Sequence, residues 1–94
     1  MSFKLIAIGI ETTNMSVWCE MEIDGGRFNG YSDWQWQNDT SPGAKDRHAM
    51  RHAFLKAKVD VPDNSVLDSM VQAWWQEAMA KHAAQRQSSA VSNP

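Results

Sequence analysis

His48 and His52 stand four residues apart, a spacing that sets two imidazoles over one helix surface and suits a zinc or nickel ion. The residues between them are Ala-Met-Arg, so no Glu follows the first His as a general base and the zinc-protease pattern is missing. No third ligand is evident, and Arg47 and Arg51 would repel a cation, so a solvated histidine pair without metal is expected. Glu20 and Glu22 are paired carboxylates on one strand face, yet no apolar pocket is evident that would separate their pKa values into acid and base. Ser, His and Asp occur without a nucleophile elbow, a glycine-rich phosphate loop or a catalytic Cys-His context. Cys19, the only cysteine, falls on the apolar side of its strand and reads as a small buried hydrophobe. A single cysteine forms no internal disulfide and fits a reducing, cytoplasmic setting. Neither catalysis nor a cofactor is expected.

Binding chemistry is better represented. Five tryptophans occur in 94 residues, a density that packing or recognition must explain. Trp34 and Trp36, two apart, share one face of a strand, whereas the neighbours Trp74 and Trp75 point about 100° apart on a helix. Trp18 alternates with Glu20, Glu22 and Asp24 on a strand face opposite the apolar set, and Tyr31 and Asp33 join them across a hairpin. An aromatic, acidic surface of this kind suits a basic partner surface, or a nucleic-acid-binding protein toward which its carboxylates imitate phosphates. Trp75, Met79 and His82 make a second stripe, about a quarter turn from the core stripe, that either closes the core or anchors a partner or a second copy of the chain. Arg47, Arg51 and Lys58 project within about 40° of one another. They form a basic stripe, flanked by Lys45 and Lys56, that offers an alternative as a phosphate-tracking nucleic-acid surface.

Net charge is −2, with two bases against six acids in residues 1–40 and seven against five in residues 41–94. That balance gives no whole-protein case for nucleic acid. No stretch approaches the roughly 20 apolar residues of a membrane span, and the apolar start ends at Glu11, too short for a signal sequence.

The elements that must position these residues follow from periodicity. Leu5–Ile10 is apolar throughout, with Ile6, Ile8 and Ile10 on one side and Leu5, Ala7 and Gly9 on the other. Met15, Val17, Cys19, Met21 and Ile23 alternate with polar residues, which predicts a half-buried strand. Asp24-Gly25-Gly26 supplies a two-residue turn, and a loop at Asp24-Gly25 pairs Glu22 with Arg27 and Trp18 with Tyr31. Looping instead at Gly25-Gly26 keeps the same faces. Ser41-Pro42 predicts the start of a helix to about Lys58, with Met50, Ala53, Phe54 and Ala57 as its apolar stripe. Ser65 with Asp68 predicts a capping box for a second helix on which Val66, Leu67, Met70, Val71, Trp74 and Ala78 fall on one side. Residues 1–83 form one α+β domain, and 84–94 are expected to be a disordered tail.

The meander of Leu5–Gln37 followed by helices near 42–58 and 65–83 resembles, in architecture over residues 3–83, the small phage-encoded inhibitors typified by anti-CRISPR proteins. That resemblance implies a single compact domain without catalytic residues that occupies a surface of a larger host complex, and it carries over no individual residue. The expected architecture is a three-stranded antiparallel β-meander followed by two α-helices packed on one face. The expected function is non-enzymatic protein binding in the cytoplasm, that of the host if the chain is phage-encoded, through Trp18, Glu20, Glu22, Tyr31 and Asp33, against a nucleic-acid-handling complex. Trp75 and Met79 mark a further candidate contact, including a homodimer, and Arg47, Arg51 and Lys58 the nucleic-acid alternative.

Overall fold

The computed structural model describes residues 2–33 and 41–92, with side chains as far as residue 83. Three strands, β1 (Phe3–Ile10), β2 (Val17–Ile23) and β3 (Gly26–Tyr31), precede two helices, α1 (Ala44–Lys56) and α2 (Asn64–Ser92). The sheet is antiparallel in the order β1-β2-β3, so the fold is an α+β βββαα arrangement. Trp34 and Trp36, expected to share one strand face, lie outside the described residues.

The hairpin turn is the one the residues favour. Asp24 and Gly25 both adopt positive φ, 49° and 85°, as a two-residue turn matched to strand twist requires. The register then sets Glu22 opposite Arg27, Met21 opposite Phe28 and Trp18 opposite Tyr31. Alternation along β2 buries Val17, Cys19, Met21 and Ile23 and turns Trp18, Glu20 and Glu22 the other way. Met15 does not continue that alternation. It sits in the preceding turn at φ 58°, donates its N–H to the Glu11 carbonyl at 2.8 Å, and is exposed.

β1 departs from strict alternation because its pairing skips Ile6. A bulge of one residue reverses the face of everything beyond it. Leu5 and Ile8, three apart, are therefore both buried, and Gly9 faces away from the core opposite Trp18. The carbonyl of Ile6 accepts a hydrogen bond from the Trp74 indole N–H at 3.0 Å, which covers an unpaired group at the outer edge of the sheet.

Both helices pack on one face of the sheet. α1 lies over β2 and β3, α2 along β1, and Leu5, Ile8, Val17, Cys19, Met21 and Ile23 meet Ala49, Met50, Ala53, Phe54 and Leu67 between them. The small residues of α1 matter as much as the large. A Cβ on Gly30 would lie 1.9 Å from the Ala49 carbonyl oxygen, so helix and strand backbones touch only because both sides are small.

Helix starts differ from the expected ones. Gly43, at φ 78°, is the N-cap of α1; the Ser41 carbonyl accepts from the Ala44 N–H, while the Ser41 hydroxyl accepts from Arg47 Nη2 at 2.9 Å. A left-handed Gly43 stops Pro42 from being the first helical residue. In α2 the Asp63 carbonyl accepts from the N–H groups of Val66 and Leu67, and Asp68 bonds Arg47 at 3.0 Å instead of closing a capping box with Ser65. α1 ends earlier than Lys58: Lys58 takes φ 60°, and the Val59 N–H returns to the Phe54 carbonyl at 3.3 Å, a Schellman closure whose left-handed position glycine usually fills. α2 passes its expected end near residue 83, and the backbone of the expected disordered tail is helical to Ser92.

Candidate functional site

The sheet face away from the helices carries three cross-strand rows. Gly9, Trp18 and Tyr31 form the first, Ala7, Glu20 and Asn29 the second, and Lys4, Glu22 and Arg27 the third. The face is therefore graded, with aromatic rings at one end and paired charge at the other.

Trp18 owes its position to Gly9. A Cβ at residue 9 would come within 2.7 Å of the Trp18 six-membered ring, so the indole lies across the glycine where any other residue would lift it off. Trp18 stays 36% exposed. Tyr31, across the hairpin, is exposed and is held from the α1 side: its N–H donates to His52 Nδ1 at 3.0 Å, its ring lies 6.1 Å from the imidazole, and Lys56 Nζ stands 5.3 Å over it. Trp18, Cys19, Glu20, Asn29 and Tyr31 line a shallow pocket of about 250 Å³.

The acidic character expected of this face is largely balanced. Arg27 Nη1 donates to Glu20 Oε1 at 3.2 Å and its Nε approaches Glu22 Oε2 at 3.9 Å, while Lys4 neighbours Glu22 in the register. Asp24 accepts the Ser2 N–H at the hairpin turn, and Asp33 accepts from Asn14 Nδ2 beyond the aromatic end. Trp18, Glu20, Glu22 and Tyr31 are thus brought together on one face, with Asp33 at its margin.

The basic stripe expected on α1 is broken up. Arg47 is only 8% exposed: its guanidinium donates to Asp68, to the Pro42 carbonyl at 3.1 Å and to Ser41 Oγ, tying both helices to the preceding turn. Arg51 Nη2 donates to Asn64 Oδ1, and Lys58 lies beyond the helix. A guanidinium folded inside the domain cannot follow a phosphate backbone. Nor are the histidines a solvated pair, since His48 is 5% exposed. Burial, reinforced by Lys56 and His48, pulls the pKa of His52 below its usual value, in keeping with a neutral ring that accepts the Tyr31 N–H. Among the described residues no group of three or more His, Cys, Asp or Glu could hold a metal. Burial pushes the Cys19 thiol up to about 11, so it holds its proton at neutral pH and is a poor nucleophile.

Trp75 and Met79, 52% and 59% exposed, lie on α2 and are not brought near Trp18. With Ala78, His82 and Ala83 they border an apolar depression of about 410 Å³, and Trp75 makes an edge-on contact with Trp74 at 5.1 Å. Gly9, Asn29, Arg27 and Lys56 belong to the sheet site, yet sequence reasoning left them out of it. The hairpin register already implied Asn29 and Arg27. Gly9 needed the bulge, and Lys56 the packing of α1. No helix among the described residues is long and apolar enough to cross a membrane. No family model matches this chain, and no curated protein or solved structure is similar enough to lend it a family.

Proposed function

We propose that the chain is a non-enzymatic protein-binding module that uses the aromatic end of its open sheet face. The observation that carries the reading is the indole of Trp18 laid across Gly9 beside Tyr31. Two large rings held in place by a glycine and by α1 lose little conformational freedom on binding, which is what makes Trp and Tyr effective anchors. The paired charges of Glu20, Glu22 and Arg27 form a polar rim on one side, as an interface centre requires. Inhibition of a nucleic-acid-handling host complex is the sharper form of this proposal, with the face competing for a surface that such a complex needs.

Affinity capture from the native host with the full chain tests the reading. A protein retained by wild type and by Trp75→Ala, but lost with Trp18→Ala and Tyr31→Ala, supports it, and the identity of that protein decides the sharper form. Capture that is removed by nuclease and by Arg51→Ala would favour the nucleic-acid alternative.

A further inference from the structure

We infer that the pocket between Trp18 and Tyr31 receives an arginine side chain of the partner, an inference that rests on the protein-binding reading and specifies its chemistry. The pocket, about 250 Å³ and lined by Trp18, Cys19, Glu20, Asn29 and Tyr31, gathers residue types a guanidinium uses: two aromatic residues, a carboxylate and an amide. Guanidinium is weakly hydrated, stacks on aromatic rings and donates in plane to a carboxylate, whereas an ammonium is a compact, strongly hydrated charge.

The protein's own cations already show both halves of this chemistry. Arg27 presents its guanidinium to Glu20 at 3.2 Å, and Lys56 stands 5.3 Å over the Tyr31 ring. The Arg27–Glu20 contact is not enclosed, since the two side chains are 58% and 36% exposed, so an incoming arginine can displace Arg27 at little cost. Arg27 is thus an internal competitor. That role has a sign that a purely structural salt bridge would not share: removing Arg27 frees Glu20 and tightens binding.

The test is an NMR titration of the full-length protein with N-acetylarginine methylamide and, separately, N-acetyllysine methylamide. The arginine probe should shift the Trp18 indole N–H and the Asn29 and Tyr31 amides, with an apparent Kd at least about threefold below that of the lysine probe. Arg27→Ala should tighten the arginine probe by about threefold. Trp18→Phe should weaken it and Gly9→Ala should abolish the Trp18 shift. Equal binding of the two probes, no shift at Trp18, or an Arg27→Ala variant that binds no tighter would overturn the inference. If the probes fail while partner capture still depends on Trp18, the arginine assignment falls and the protein-binding reading stands. If arginine binds and capture ignores Trp18, the pocket takes the free side chain only, and both the partner assignment and the protein-binding reading of this face fall.

Discussion

Gly30 and Gly9 sit on opposite faces of the same three-stranded sheet, and each lacks a side chain for the sake of a neighbour. At Gly30 the neighbour is the backbone of α1, where a Cβ would meet the Ala49 carbonyl oxygen at 1.9 Å. At Gly9 it is the indole of Trp18, at 2.7 Å. A helix backbone anchored by Met50, Ala53 and Phe54 cannot move aside without opening the core, whereas a partly exposed ring can swing into solvent. Packing is thus concentrated on one face and the proposed recognition on the other, although β2 feeds both through alternate residues.

Substitutions that separate the faces test this contrast. Gly30→Ala should have the largest effect, a loss of about 3 kcal/mol or more in urea unfolding, because overpacking against backbone has no soft direction in which to relax. Gly9→Ala should stay within about 0.5 kcal/mol of wild type in the same assay while displacing Trp18. A comparable loss from both glycines would break the comparison. Next in size, Asp68→Ala should cost about 1–3 kcal/mol by leaving the buried Arg47 guanidinium short of a partner. Binding at the open face should be unaffected.

A gain is expected at the end of α1. Lys58 occupies a left-handed position at φ 60°, so Lys58→Gly should raise stability by about 1 kcal/mol, read as a higher unfolding midpoint. The smallest effect is that of acid on the junction between the two faces. His52 accepts the Tyr31 N–H, and its pKa is lowered in the folded state. The unfolded chain therefore binds the proton more readily, and stability should fall as pH drops below about 6.5, with the loss complete once the pH is under the lowered folded value. His52→Gln should flatten that part of the pH profile, and an unchanged profile would detach Tyr31 from α1 in this account.

Much of the frame was legible in the residues. The alternation of β2 and the Asp24-Gly25-Gly26 turn fixed the hairpin's faces and narrowed its register to two, of which the structure adopts the Asp24-Gly25 loop, and Met50, Ala53 and Phe54 were identifiable as the buried stripe of α1, because each rests on local periodicity or on a turn with few solutions. Trp74 was assigned inward by helix phase, and it does bond the Ile6 carbonyl. The β1 bulge was not legible, since Leu5–Ile10 is apolar on both faces and no polar residue marks a change of phase. The helix caps were misplaced by about two residues because Ser41 and Asp68 satisfy their local templates as well as they satisfy Arg47, a residue distant in sequence from Asp68.

The candidate site divides in the same way. Alternation along the hairpin placed Trp18, Glu20, Glu22 and Tyr31 on one face, and no tertiary information was needed for that. Formal charge counts made this face acidic and the first helix basic, but the structure pairs Glu20 and Glu22 with Arg27 and folds Arg47 into the domain, which no count of charges along a chain can foresee. The sequence by itself determined which strands pair and which residues share a face, because strand period and turn geometry act over a few bonds. Only the tertiary structure decided which of those residues remain available. The bulge brings Gly9 beneath Trp18 and α1 brings His52 and Lys56 to Tyr31, and both depend on how separate elements meet in space.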